Sequence, residues 1–175
     1  MAIRKEELQL NTQQDMSSED IYVLKKLFTE YVSLYRLELN SGKYEILRLV
    51  ENTNAKQLVG EEHTIFADYD EFTRRYADAF VPETEQEEFL DWHKCENLKK
   101  RLQEKESLTY YYHSVSKDGK DSYYEAYAVK GKADGKNFYI FLGYRNVDVI
   151  LYKEKAIQEQ LQKALDEAKL SNEII

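Results

Sequence analysis

The reactive side chains of this sequence do not converge. Its three histidines, His63, His93 and His113, fall in separate segments. His93-Lys94-Cys95 is the one close pairing of His with Cys, and an i, i+2 step on a helix turns the two side chains to different faces. Metal sites of Cys and His need more ligands at defined spacings, so no metal site is expected. Cys95, the single cysteine, reads as a small core residue rather than a nucleophile. Six scattered glycines form neither a Walker loop nor a G-x-G-x-x-G run. Glu83, Glu85, Glu87 and Glu88 could gather a cation, but a helix start attracts acidic residues through its dipole, and that solvated reading is preferred. No catalytic residue is assigned, and the chain is read as a non-enzyme.

Phenols are the more plentiful resource. Fifteen tyrosines stand against one tryptophan and one proline. Tyrosine suits a pleated, half-buried surface, and a buried phenol wants a hydrogen-bond partner. If a small molecule is bound, the expected contacts are Tyr35, Tyr110, Tyr112 and Tyr127. Cross-strand packing of the same rings is the competing explanation.

The elements that would position these groups can be read from period and turn chemistry. Residues 1–16 are polar and aperiodic, a flexible lead-in. Ser17 and Ser18 followed by Glu19 and Asp20 start a helix with Ile21, Leu24, Leu27 and Phe28 as its stripe. Tyr31 to Leu39 alternates as a half-buried strand, turns at Asn40-Ser41-Gly42-Lys43 and returns from Tyr44 to Val50. Tyr69 to Phe80 is helical and ends at Val81-Pro82, because proline disfavours the helical region in the residue before it. Glu83 to Lys105 is expected as one longer helix, with Phe89, Trp92, Cys95 (or Glu96), Leu98 and Leu102 inward. Three strands follow, Leu108 to Val115, Ser122 to Lys130 and Phe138 to Tyr144, separated by Asp118-Gly119 and Asp134-Gly135 turns. Runs of helices and strands without βαβ alternation argue for an α+β fold with an antiparallel sheet.

The last strand feeds a long helix. Asp148 stands where it could cap that helix. Ile150, Ile157, Leu161, Ala164 and Ala168 then form one narrow stripe flanked by charged and amide side chains. So narrow a stripe fits a two-stranded coiled-coil seam, which makes a homodimer through this helix the expected assembly.

Bulk properties narrow the function classes. The 175 residues suit one domain, and a formal net charge of -8 argues against nucleic acid or anionic lipid as partner. No apolar run approaches the roughly 20 residues that span a bilayer, so no direct membrane insertion is expected. One cysteine is compatible with a reducing, cytoplasmic setting, though a parent protein could still be membrane-anchored.

Several strings carry a resemblance. Glu30-Tyr31-Val32-Ser33-Leu34-Tyr35-Arg36-Leu37 leads into the first hairpin. Val81-Pro82-Glu83-Thr84-Glu85 and Phe89 mark the middle helices, and Gly143-Tyr144-Arg145-Asn146-Val147-Asp148 forms the exit. With the order of elements, these strings make the chain resemble a PAS-fold sensor domain of bacterial signalling proteins with histidine kinase or diguanylate cyclase outputs. The resemblance covers about Ser18 to Ile175. It implies a five-stranded antiparallel sheet with helices on one face, flanked by an N-terminal helix and a long C-terminal signalling helix. It also implies a sensor domain over 17–148, a coiled-coil helix over 149–175, and Asp148 as the junction between them. The expected partners are a second copy and a downstream kinase, cyclase or further PAS module. No Asn-Cys-Arg-Phe flavin string surrounds Cys95, and no haem histidine is evident on the middle helices, so no cofactor is expected. The expected function is a non-catalytic sensory or relay module. Its alternatives are a dry interaction scaffold and a small enzyme or carrier on a cone-shaped α+β fold.

Overall fold

A computed structural model describes residues 17–27, 29–60, 66–133 and 135–174. The lead-in at 1–16, Phe28, His63 and Asp134 lie outside the described residues, as do the side chains of Leu24 and Leu27 in the first stripe. The described elements are α1 (Ser18–Leu27), β1 (Ser33–Glu38), β2 (Tyr44–Leu49), α2 (Asn54–Val59), α3 (Tyr69–Phe80), α4 (Glu83–His93), α5 (Cys95–Glu104), β3 (Ser107–Val115), β4 (Asp121–Ala133), β5 (Phe138–Asn146) and α6 (Asp148–Ile174).

The five strands make one sheet in the order β2-β1-β5-β4-β3, and every neighbouring pair is antiparallel. Period-two alternation assigns the faces. The inner face carries Tyr35, Leu37, Leu108, Tyr112, Ala126, Ala128, Ile140, Leu142 and Tyr144, all in the core. Ala126 lies in register between Tyr110 and Tyr144, and Ala128 between Leu108 and Leu142, so small residues on β4 leave room for larger neighbours. Val59 of α2, Phe72 and Tyr76 of α3, Phe89 and Trp92 of α4, and Leu98 and Leu102 of α5 close the same core. On the outer face, Asp20 of α1 borders a cleft shared with Arg36, Tyr139 and Phe141.

Three expectations change. The β1 strand is buried on both faces rather than half-buried: Leu34 is as inaccessible as Leu37, and Arg36 alone is partly exposed. The expected helix from Glu83 to Lys105 is two helices broken at Lys94, whose ψ of 126° is extended. The break re-phases the buried face. Phe89, Trp92 and His93 are buried before it, and Cys95, Leu98 and Leu102 after it, a set that one continuous helical face cannot hold. Asp70 Oδ1 on α3 accepts the Cys95 N–H at 3.0 Å and so satisfies a backbone donor at the new helix start. The third change is α2, six residues capped by Thr53, whose Oγ1 accepts from Lys56 N–H at 3.2 Å.

Candidate functional site

Between the inner sheet face and the helices α2 and α3 lies a cavity of about 30 Å³ lined by Tyr35, Thr53, Asn54, Tyr69, Phe72, Tyr76, Phe89, Tyr112, Tyr124 and Tyr144, among others. That is room for about one or two water molecules. Its phenols bond to groups in the same wall. Tyr69 and Tyr144 share a hydroxyl–hydroxyl bond of 2.6 Å, and Tyr76 bonds Ser114 Oγ at 2.6 Å. Asn54 Nδ2 donates to the same Ser114 oxygen at 2.8 Å. Burial pushes the Tyr76 phenol up to about 12 and those of Tyr69, Tyr112 and Tyr144 well above their ordinary value. The wall is therefore neutral at physiological pH.

Of the four tyrosines expected at a ligand site, Tyr35 and Tyr112 line this cavity. Tyr110 is half-buried behind it and stacks on Trp92 at 5.2 Å. Tyr127 is on the other face of the sheet, in register with Thr109 and Gly143, because its neighbours Ala126 and Ala128 point into the core. Tyr69, Tyr76 and Tyr144 were not picked out from the sequence as site residues. Tyr144 continues the alternation of Ile140 and Leu142, and Tyr76 sits four residues beyond Phe72, so both signals were present. Asn54 and Ser114 carried no such signal.

The two described histidines are far from equivalent. His113 on the sheet edge pairs with Glu85 at 3.0 Å. His93 is fully buried, with Phe89, Trp92, Tyr110, Tyr112 and Tyr144 rings about it. Its Nδ1 lies 2.8 Å from the Phe89 carbonyl, an acceptor, so Nδ1 carries the proton. Nε2 is then a buried lone pair without a hydrogen-bond partner. Burial drops the imidazole to about 3, which keeps it neutral. Burial, reinforced by the charge of Asp70, raises the Cys95 thiol far out of the thiolate range. Among the described residues no group of three or more His, Cys, Asp or Glu could hold a metal ion.

The second feature is the exit from β5 into α6. Asp148 was expected to cap this helix. Instead its Oδ1 accepts the backbone N–H of Tyr123 on β4 at 2.7 Å, and Asn146 Oδ1 accepts the Asp148 N–H at 2.9 Å. Val147 N–H adds a bond to the Tyr123 carbonyl at 2.9 Å. Asp148 is thus a latch between helix and sheet, and the capping side chain is that of Asn146. Beyond the latch every residue described from Val149 to Asn172 is exposed, including the seam candidates Ile150, Ile157, Leu161, Ala164 and Ala168. Ile157 and Leu161 are 56% and 59% exposed, and Leu165, four residues past Leu161 and not in the expected seam, is 55% exposed.

Neither a family model nor a curated protein sequence matches the chain. Solved structures similar to it include a sensory box histidine kinase/response regulator from Burkholderia thailandensis (TM-score 0.45, 11% identity, covering 83% of this chain and 98% of that one). The PAS domain of Bordetella pertussis BvgS is similar at TM-score 0.46 and 12% identity, covering 82% of this chain and 99% of that one. A PAS domain from Colwellia psychrerythraea is similar at 0.40 and 11%, covering 71% and 96%. The chain has the α+β fold that the resemblance to PAS domains implies. The five-stranded antiparallel sheet, the helices α2–α5 inserted between β2 and β3, and the helix leaving the last strand are its parts. Among the described residues no helix is long and apolar enough to cross a membrane.

Proposed function

We propose that the chain is a sensory relay module whose output is α6. A change in the PAS-like domain alters the β4–β5 junction, and Asp148 passes it to the helix. There Ile150, Ile157, Leu161, Ala164 and Ala168 pack against the same stripe of a second copy. A kinase, a cyclase or a further sensor module of a longer parent chain reads the change as a shift in helix rotation or register. The setting is cytoplasmic, and the module performs no chemistry of its own.

The observation that carries this reading is α6 itself. Its 27 residues run with Ile157, Leu161, Leu165 and Leu170 each more than half exposed, fixed to the domain at the first turn. An isolated helix with an open apolar stripe is marginal in water and gains stability by pairing. The small cavity favours a second reading within the same class: the change comes from a protein partner or a neighbouring domain rather than from a stored small molecule, since about 30 Å³ holds little more than water. A ligand can shift the module only by binding two conformations unequally.

Cysteine cross-linking tests the seam, because the native Cys95 is buried and its thiol protonated. Leu161→Cys and Ile157→Cys should each form a disulfide between two copies, while Glu159→Cys on the opposite side of the helix should not. Equal cross-linking at all three positions would sink the seam.

A further inference from the structure

On the outer face of the sheet, a ring of the segment after α1 packs on β5. Tyr31 lies on Gly143: a Cβ at 143 would stand 2.6 Å from Tyr31 Cδ1 and 3.0 Å from Cε1. All three of the nearest atoms to such a Cβ belong to Tyr31, so glycine at 143 is needed for this ring. The Tyr31 hydroxyl donates to Glu125 Oε1 at 3.4 Å, and the Arg145 guanidinium lies 5.6 Å from the ring centre. Glu125, only 5% exposed, takes Arg145 in a fork: Nε donates to Oε1 at 3.0 Å and Nη2 to Oε2 at 3.1 Å. Arg145 Nη1 also reaches Glu30 at 3.3 Å, and Val32 N–H bonds the Tyr144 carbonyl at 2.8 Å. Residues 30–32 therefore grip 143–145, three residues ahead of Asp148.

A buried ion pair is a poor way to add stability, since desolvation offsets most of its attraction. A bidentate fork is a good way to fix orientation. Here it fixes β4 against β5, with Glu125 two residues from Tyr123 and Arg145 three from Asp148. The alignment of these two strands brings the Tyr123 N–H onto the Asp148 carboxylate.

We infer that Tyr31, acting through Glu125 and Arg145, positions the exit of α6, so that displacement of the 30–32 segment that follows α1 is an input to the output helix. This rests on the reading of α6 as the output. Tyr31 is a positioning residue, and its effect should appear at the latch rather than across the fold.

Amide hydrogen exchange of the full chain, read residue by residue by NMR, tests the inference. In Tyr31→Ala the Tyr123 and Asp148 amides should exchange about tenfold faster, while the Tyr76 amide in α3 stays within about twofold of wild type. Tyr31→Phe keeps the ring and should restore most of the protection. Gly143→Ala should reproduce Tyr31→Ala, and in the double variant it should add nothing further, because the ring it displaces is gone. Unchanged Tyr123 and Asp148 amides in Tyr31→Ala, or an equal acceleration at Tyr76, would overturn the inference. Asp148→Ala separates the two readings. If it frees the Tyr123 amide while Tyr31→Ala does not, the junction stands and the clasp falls. If it leaves that amide protected, the junction is wrong and the clasp falls with it.

Discussion

Mild acid should weaken this domain through His93, and replacing that histidine should remove the effect. The folded protein holds the buried imidazole at about 3, whereas an unfolded histidine titrates near about 6.5. The sign follows from proton counting. Between those values the unfolded chain binds a proton that the native state refuses, so stability is complete above the unfolded value and drains away as pH falls. At about 1.4 kcal/mol per unit, acidification from about pH 7 to about pH 5 should cost about 2 kcal/mol. His93→Phe keeps a ring against Phe89 and Trp92, whose centroids lie 4.0 and 4.8 Å away, and deletes the unpartnered Nε2. It also loses the Nδ1 bond to the Phe89 carbonyl, so its net effect near neutrality should be small. Urea unfolding of both proteins at the two pH values gives the difference of differences, with other titrating groups cancelling as shared background. The variant should lose about 2 kcal/mol less than wild type over this interval. Equal losses would refute the assignment of a neutral, unpartnered histidine in the core.

Other outcomes follow from single contacts. The Glu38 carboxylate accepts the N–H groups of Asn40, Ser41 and Phe138 at 3.0, 3.0 and 2.9 Å; Glu38→Gln should lose about 1–3 kcal/mol in chemical denaturation. Burial raises the Glu38 carboxyl, but these N–H bonds outweigh it and hold the group below its ordinary value. The wild-type advantage should therefore be present above the ordinary carboxylate range and vanish as pH falls through the lower folded value. Tyr69→Phe leaves the buried Tyr144 hydroxyl without its 2.6 Å partner and should cost about 1–3 kcal/mol, while adding Tyr144→Phe should cost less than the sum. Asp148→Ala should leave the domain folded, with a loss of about 1.5–3 kcal/mol from one charge-assisted bond, and should uncouple α6 from β4; complete unfolding by circular dichroism would contradict the latch.

The parts of this fold that were legible in the sequence are those whose pattern is local. Tyr69 to Phe80 has both a helical stripe and a proline stop, and it forms α3 with the expected ends. The turn at Asp118-Gly119 places Gly119 at φ +86°, as a glycine in a tight hairpin should be. What was missed depends on partners distant in sequence. The break at Lys94 answers to the core that Cys95, Leu98 and Leu102 must reach and to the Asp70 carboxylate on another helix. Helix α2 is too short for a period, and its Asn54 meets Ser114 across 60 positions. Tyr127 is instructive in another way. The β3–β4 register sets it beside Thr109, one step from Tyr110 and three from Tyr112, so parity alone would have put it outside the core. Asp148 stands at the start of α6, but the group its carboxylate meets, the Tyr123 amide, could be known only from the folded sheet.

The most direct test of the central claim is native mass spectrometry of the wild-type chain beside Leu161→Asp. The account predicts a wild-type dimer with no retained small molecule and a monomer for the variant, since a carboxylate in the α6 stripe cannot be buried between two helices without heavy cost. A wild-type monomer, or a dimer that Leu161→Asp leaves intact, would contradict it.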